Sequence, residues 1–141
     1  MKLFLCVPFS GHVTESGAVE EAYRQTIERL LNNLRQHGHD VYCALEYADW
    51  TMGGASTPEE ELSHDFAEID RCDKVVVLVE ERVSAGVQLE NGYAFAKSKE
   101  VAVYQIGKPA WTNIAFAKLN GHEIVQVTDI DDFARQALIQ N

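Results

Sequence analysis

The stretch that decides the fold is the run VVVLV at residues 75–79, followed after a short turn by GVQLENGYA at residues 86–94. A continuous apolar run is typical of a strand that is covered on both faces. The turn ends on small residues, and the second segment indicates a helix with Glu90 near its first turn. A strand that leads directly into a helix predicts that Glu90 lies at the carboxyl edge of a parallel sheet, where open α/β folds bind ligands.

Strand-like and helix-like segments alternate along the rest of the chain. Short apolar runs predict five strands, over residues 2–7, 41–43, 73–79, 101–104 and 123–127. Helical spacing of apolar residues, or a helix-start signal, predicts five helices, over residues 15–36, 57–71, 86–97, 113–118 and 129–139. This alternation predicts an α/β fold with a parallel sheet. Residues 44–57 lack periodicity and predict a long loop, a type of segment that is often functional.

Length and composition indicate one globular domain over residues 1–141. The formal net charge of −10 argues against nucleic-acid polymers and anionic membranes as partners, because neither attracts an acidic protein. It remains compatible with a small phosphorylated ligand, since backbone N–H groups can bind phosphate locally. Residues 1–9 are too short for a signal peptide and no run approaches the ~18 apolar residues of a membrane helix, so we expect a cytoplasmic protein.

Neither a metal nor a cofactor is expected from the sequence motifs. Cys6, Cys43 and Cys72 lie in or beside apolar segments without a C-x-x-C pair, which is typical of buried thiols in a reducing compartment. The five histidines show no ligand spacing. Gly53-Gly54 lacks the Lys-Ser/Thr of a phosphate loop, and G-x-G-x-x-G is absent after the first strand, so NAD or ATP binding by these routes is not predicted.

Two carboxylates are the candidates for chemistry. Helix-dipole stabilisation alone would explain Glu90, but Gly86 and Gly92 flank it and allow close approach to the backbone. Asp65 lies eight residues before Asp73, which introduces the strand that precedes Glu90. Two acids that face one cleft are what the cleavage of a glycosidic bond requires.

Other polar residues keep two interpretations. Asp65 is either part of the site or one more solvated acid on an acidic helix. Ser10 and Ser84 are either turn residues or, near a helix N-terminus, phosphate contacts. His64 lines the cleft or lies on the surface, and Trp50 stacks on a base or fills a local apolar niche.

Several motifs resemble the nucleoside 2-deoxyribosyltransferase superfamily. The segment FLCVPF at residues 4–9 resembles the family opening Y-L-A-G-P-F, and Asp65 with Asp73 resembles its D-x7-D pattern. Residues 86–94 resemble its G-x3-E-x-G-x-A signature. Residues 112–114 lie where the family supplies a polar residue to a neighbouring subunit's site.

This resemblance implies a flavodoxin-like or Rossmann-like, doubly wound, five-stranded parallel sheet with helices on both faces. It implies that Glu90 attacks C1′ of a nucleoside and that Asp65 protonates the departing base or orients the sugar. It also implies a homodimer or larger homo-oligomer with shared sites. The substrate-binding residues that follow from it are Phe4, Pro8, Phe9, Ser10, Gly11, Ser84, Gly86, Thr112 and Asn113.

Three departures from the family pattern refine the expected substrate. Ser84 replaces an aspartate that contacts the 5′-hydroxyl in transferases, which removes a charge that would repel phosphate. Ser84 therefore favours a nucleoside 5′-monophosphate, with Ser10 and Gly11 as further phosphate contacts. Phe4 replaces a tyrosine, which leaves room for a 2′-hydroxyl. Val7 replaces a glycine, and its Cβ narrows the pocket or moves the first loop.

The leading hypothesis is an N-glycosidase that hydrolyses a nucleoside 5′-monophosphate to free base and sugar 5-phosphate. A deoxyribosyltransferase that exchanges bases on deoxynucleosides is the nearest alternative. A catalytically silent nucleotide-binding module and a flavodoxin-like flavin binder are the others. Only the flavin binder would give a yellow protein.

Overall fold

A computed structural model describes residues 1–52 and 56–141 of the chain and contains a five-stranded parallel sheet. The strands are β1 (Lys2–Cys6), β2 (Asp40–Cys43), β3 (Lys74–Glu80), β4 (Glu100–Ile106) and β5 (Ile124–Val127). They pair in the order β2-β1-β3-β4-β5, and every neighbouring pair is parallel. The predicted fold class is confirmed. The strand order reverses between β1 and β3, so the crevice beside their carboxyl ends is the switch point at which such sheets bind ligands.

Six helices connect and follow the strands. They are α1 (Glu21–Gln36), α2 (Ala44–Tyr47), α3 (Pro58–Arg71), α4 (Ala85–Ala96), α5 (Trp111–Asn120) and α6 (Ile130–Gln140). Both predicted helix starts with a side-chain cap are confirmed. Thr57 and Glu60 form a reciprocal capping box at α3, and Asp129 accepts a hydrogen bond from Asp132 N at α6.

Helices cover both faces of the sheet. Successive residues of a strand point to opposite faces, so Leu3 and Leu5 of β1 pack in the same core as α1 and α6. Phe4 and Cys6 lie in the second core, which is shared with α3 and α4. Cys6 is thereby directed towards α4, the helix that carries Glu90. Each of the three cysteines is free and buried, as predicted.

Two predicted elements differ from the structure. Residues 15–20 were predicted as part of a helix, but α1 begins at Glu21. The preceding loop turns at Gly17, where φ is +83°, and pairs through Val13 with Val19 and through Ala18 with Thr51. The predicted loop over residues 44–57 contains the short helix α2, whose Leu45 is buried. Gly53 and Gly54 lie outside the described residues.

Within residues 1–52 and 56–141, no helix is both long enough and apolar enough to cross a membrane.

Candidate active site

A cavity of about 250 Å³ opens at the carboxyl ends of β1, β2 and β3, between α3 and α4. Glu90 and Asp65 both line it, so the structure brings the two predicted carboxylates together. Three further predicted residues line the same cavity, namely Phe9, Ser84 and Gly86. The remaining wall is mainly apolar, as is usual for small-molecule pockets, and comprises Val7, Ala44, Leu45, Tyr47, Ala48, Thr51, Met52, Glu61 and Val87.

Glu90 lies in the second turn of α4, because this helix begins at Ala85. The expectation of a first-turn position was wrong by one turn, so the helix dipole contributes little to this carboxylate. The side chain is 8% exposed, and its Oε2 accepts a hydrogen bond of 2.8 Å from Cys6 Sγ. Burial raises the pKa of Glu90 to about 7, the Cys6 hydrogen bond lowers it and the charge of Asp65 raises it.

Asp65 is buried on α3, 9% exposed, and is held by a tyrosine of the neighbouring strand β2. Tyr42 Oη donates a hydrogen bond of 2.6 Å to Asp65 Oδ1. Burial raises the pKa of Asp65, whereas the Tyr42 hydrogen bond and the nearby His64 lower it. Asp65 is therefore distinct from the exposed acids of the same helix, such as Glu59.

The N-terminus of α4 forms one edge of the cavity. Ser84 is the N-cap residue, and among the described residues its side chain makes no capping hydrogen bond. Gly86 follows in the first turn, and a Cβ placed there would meet no described atom within 4 Å. The first N–H groups of a helix carry a partial positive charge and point outward. This edge of the cavity is therefore open to an acceptor group of a ligand.

Four predicted contacts from the first loop and strand lie outside the cavity lining. Phe4 is fully buried and stacks on Tyr42, with ring centroids 5.2 Å apart. Pro8 is buried, and its carbonyl accepts a hydrogen bond from a tyrosine of α1. Ser10 and Gly11 are exposed. Phe4 therefore supports the site from beneath, by packing against the tyrosine that holds Asp65.

The two predicted residues of α5 also lie outside the cavity of their own chain. Asn113 is buried, and its Oδ1 accepts a hydrogen bond of 2.8 Å from Gln88 Nε2 on α4. Thr112 is half-buried beside it. Whether either residue serves a neighbouring subunit stays a prediction.

The packing of Trp50 and of His64 decides between the two interpretations that the sequence left open for each. Trp50 fills an apolar niche in the core shared with α1, and Arg24 lies over its ring at 5.4 Å from the centroid. His64 stacks on Tyr47 at 4.0 Å and does not line the cavity. Tyr47 does line it, and its side chain is exposed. The aromatic surface presented to a ligand therefore comes from Tyr47 and Phe9.

Cys6, Tyr42, Tyr47 and Glu61 are the site residues that the sequence analysis did not single out. The alternation of β1 places Cys6 on the same face as Phe4, which was a usable signal. The contacts of Tyr42 with Asp65 and of Cys6 with Glu90 join residues 23 and 84 positions apart. Spacing along the chain does not reveal such pairs.

The charge of the cavity is negative. Its described lining contains three carboxylates, Glu61, Asp65 and Glu90, and no lysine, arginine or histidine. Among the residues that the structure describes, no three Cys, His, Asp or Glu side chains gather closely enough to hold a metal ion. The chemistry available to the described side chains is nucleophilic attack by a carboxylate and proton transfer by a second one.

The chain matches the model of a protein family. The family model described as "Domain of unknown function (DUF4406)" matches residues 1–104. No curated protein sequence matches the chain.

Several solved structures share the architecture. The CMP N-glycosidase BcmB of Clostridium botulinum is 17% identical, with a TM-score of 0.73 and full coverage of both chains. BlsM is 21% identical at a TM-score of 0.69, covering 99% of this chain and 91% of that one. A 2-deoxyribosyltransferase from Bacillus psychrosaccharolyticus is 17% identical at a TM-score of 0.65, covering 98% of this chain and 96% of that one. These likenesses show that the chain has the same fold as these proteins.

Proposed function

The chain belongs to the family described as "Domain of unknown function (DUF4406)", and we propose that it cleaves the N-glycosidic bond of a nucleoside 5′-monophosphate by hydrolysis. The products are the free base and ribose or deoxyribose 5-phosphate. One observation carries the proposal: two buried carboxylates from separate helices, Glu90 and Asp65, line a single cavity. Solved structures of the same fold include a CMP N-glycosidase and a 2-deoxyribosyltransferase, which agrees with chemistry at this bond.

The two carboxylates have different surroundings, which suits them to different roles. Glu90 accepts one hydrogen bond from a thiol, and burial raises its pKa to about 7. Near neutral pH a large fraction of Glu90 is therefore ionised and can act as a nucleophile. Burial also raises the pKa of Asp65, and the proposed reaction proceeds from the form of the coupled pair in which Asp65 holds the proton and Glu90 is ionised.

The proposed reaction has two steps. The ionised Glu90 forms a bond to C1′ of the sugar as the bond from C1′ to the base nitrogen breaks. The electron pair of that bond leaves with the base, which takes a proton from Asp65. A water molecule then attacks C1′, gives a proton to the Asp65 carboxylate and releases Glu90 from its ester. Each carboxyl group ends in the protonation state in which it began.

The phosphate is proposed to lie at the N-terminus of α4. Ser84 places a hydroxyl there, and Gly86 leaves space for close approach to the backbone N–H groups. Arg82 lies two residues before Ser84 in the chain, and its Nη1 is 4.0 Å from the position that a Cβ on Gly11 would occupy. Within the described residues Arg82 forms no ion pair. An anionic group is therefore accommodated at the rim, away from the carboxylates of the cavity.

The base is proposed to occupy the apolar side of the cavity. Phe9 and Tyr47 present aromatic rings there, and Leu45 and Met52 complete the wall. Aromatic rings favour stacking on a planar base. The sugar then lies between this wall and the N-terminus of α4, beside Glu90.

The direct test is a panel of ribo- and deoxyribonucleoside 5′-monophosphates, assayed for liberated base by chromatography. Glu90→Gln is expected to lower turnover by roughly 10³-fold or more, which is the scale for removal of a catalytic nucleophile. Nucleotide should still raise the melting temperature of this variant by binding the folded state. Glu123→Gln, an exposed position outside the cavity lining, makes the same change in charge and should leave turnover intact. Full turnover by Glu90→Gln would contradict the nucleophile assignment.

Adding a second free base to the same assay separates hydrolysis from transfer. A deoxyribosyltransferase would form an exchanged deoxynucleoside, whereas the proposed hydrolase releases base and sugar phosphate whether or not an acceptor is present. Ser84→Asp should impair use of the monophosphate more than use of the free nucleoside, because it places a negative charge beside the phosphate. Equal losses on both substrates would remove the phosphate assignment. Binding without any base released would indicate a silent nucleotide-binding module.

A further inference from the structure

The thiol of Cys6 makes a contact that the proposed reaction steps do not use. It lies at the end of β1, and its side chain faces α4. Sγ donates a hydrogen bond of 2.8 Å to Glu90 Oε2 and lies 3.9 Å from the carbonyl oxygen of Val87. Cys6 is 1% exposed, so water does not compete for the bond. The contact therefore lies behind the cavity lining, to which Glu90 belongs and Cys6 does not.

The hydrogen bond distinguishes the two oxygens of the Glu90 carboxylate. Oε2 is engaged by the thiol, whereas Oε1 accepts no hydrogen bond from any described residue. We propose that Cys6 is a positioning residue, whose thiol holds Oε2 in place, directs Oε1 towards the sugar carbon and favours the ionised carboxylate. This inference rests on the proposed role of Glu90 as the nucleophile.

The thiol is suited to donate because it stays protonated. Burial, followed by the charge of Glu90, raises the pKa of Cys6 well above its ordinary value. A thiol is a weak donor in water, but a single hydrogen bond to a charge counts for more in a buried site. A donor to the charged form of an acid favours that form. Cys6 therefore partly offsets the effect of burial on Glu90.

Other groups near Glu90 act in the opposite direction or are neutral. Asp65 on α3 raises the pKa of Glu90 through its negative charge. Asp65 is itself influenced by His64, which lowers its pKa, and by Glu61, which raises it. Cys43 on β2 remains a neutral thiol, because burial raises its pKa to about 12. Cys6 is thus the one described side chain that supports the ionised form of Glu90 by direct contact.

The test compares Cys6→Ala and Cys6→Ser with Cys72→Ala. Cys72 is a matched control because it is a free, buried cysteine of the same core, and it donates to the carbonyl oxygen of Ile69, away from the cavity. The dependence of kcat/KM on pH is measured for each variant. In the wild-type chain kcat/KM should rise with pH as Glu90 ionises. Cys6→Ala should move this rise to higher pH by about half a unit or more. Cys6→Ser should leave the rise in place or move it to lower pH, because a hydroxyl is the better donor.

The size of the effect should itself depend on pH. In Cys6→Ala, kcat/KM should fall roughly three- to tenfold near pH 6, where ionisation of Glu90 limits the rate, and less above about pH 8. A general loss of stability would lower the rate similarly at all pH values, and Cys72→Ala reports that loss. An unchanged profile in Cys6→Ala, or equal shifts in Cys6→Ala and Cys72→Ala, would overturn the proposal.

A second measurement does not need turnover. Carbon-13 NMR of the Glu90 carboxyl group, assigned by the loss of its signal in Glu90→Gln, gives the pKa directly. Cys6→Ala should raise that pKa relative to the wild-type chain and to Cys72→Ala. If the wild-type chain releases no base from any nucleotide, the proposed function fails. If base is released but the Glu90 titration is the same with and without the thiol, the inference about Cys6 fails alone.

Discussion

Ionisation of the buried Glu90 is required for the proposed reaction, but it lowers the stability of the fold. Burial raises its pKa in the folded chain to about 7, from an ordinary value of 4.5. Between these two values the folded state holds a proton that the unfolded state has released. The free energy of unfolding contributed by this group is therefore highest below pH 4.5 and falls as the pH rises towards about 7. A site that requires ionised Glu90 is therefore active in the pH range in which the fold is less stable.

Glu90→Gln should remove this pH dependence. Above about pH 8 the variant should be more stable than the wild-type chain by up to about 3 kcal/mol, and near pH 4 the two should be similar. Urea unfolding followed by circular dichroism at both pH values measures the difference. Glu123→Gln serves as the exposed control and should follow the wild-type curve. A stability difference between Glu90→Gln and wild type that is the same at both pH values would contradict the raised pKa.

Substitution of Gly86 should affect the stability of the fold and the binding of substrate in different ways. A methyl group there meets no described atom within 4 Å, and alanine is the better helix former by about 0.5–1 kcal/mol. Gly86→Ala should therefore be as stable as the wild-type chain or more stable in urea. Its KM for a monophosphate should rise several-fold, because Gly86 lines the cavity where the sugar phosphate is proposed to lie. An unchanged KM would show that the substrate does not approach this residue.

At the scale of elements, what the sequence predicted depended on how local the signal was. The start of α3 was correctly placed because Thr57, Pro58 and Glu60 form a cap from neighbouring residues alone. The start of α1 was misplaced because residues 15–20 pair with the segment around Thr51, which lies far along the chain. The short helix α2 carries no periodic signal and is stabilised by the burial of Leu45.

The residues of the candidate site, too, could be predicted only where the sequence signal was local. The position of Glu90 beyond β3 followed from a strand leading into a helix, and the structure places it in a cavity with Asp65. Tyr42 and Cys6, which hold these two acids, were not identified. Their contacts arise from the packing of β1 and β2 against α3 and α4, and a single sequence gives little information about such packing.

The capping box of α3 gives a prediction at this scale. Thr57 Oγ1 accepts a hydrogen bond from Glu60 N, and the Glu60 carboxylate accepts one from Thr57 N. Thr57→Ala should lower the free energy of unfolding by about 1 kcal/mol, and Thr57→Ser should recover most of the loss because it retains the hydroxyl. Urea titration of both variants measures this. Equal stability of the alanine and serine variants would show that the cap contributes nothing.

At the scale of the whole molecule, exposed apolar side chains lie on α4 and α5. Trp111 is 79% exposed, and Leu89 and Ile114 are exposed as well. Exposed apolar side chains that lie on neighbouring helices can form an interaction surface, and the hydrogen bond from Gln88 to Asn113 shows that α4 and α5 are neighbours. Asn113 is held to α4 by Gln88, so Thr112 is the better candidate to reach a neighbouring subunit. We therefore keep the prediction of a homodimer or larger homo-oligomer and assign its interface to these helices.

Light scattering tests the assembly. The wild-type chain should have at least twice the mass of one chain at micromolar concentration, and Trp111→Ser should dissociate it. Ile139→Ser on α6 is a matched control, since it removes an exposed apolar side chain elsewhere on the surface, where Ile139 is 72% exposed, and it should leave the mass unchanged. A wild-type monomer, or equal effects of the two variants, would place the interface elsewhere or remove it.

A mixing experiment tests whether the site is shared between subunits. Thr112→Ala and Glu90→Gln should each have low activity alone if Thr112 serves the site of a neighbouring subunit. A mixed dimer of the two variants has one site in which both defects meet and one site in which both residues are intact. Mixing the inactive proteins and allowing subunit exchange should therefore restore part of the wild-type rate. If Thr112 instead served its own chain, every site in the mixture would lack one residue, and the rate of base release would stay at the sum of the two variants.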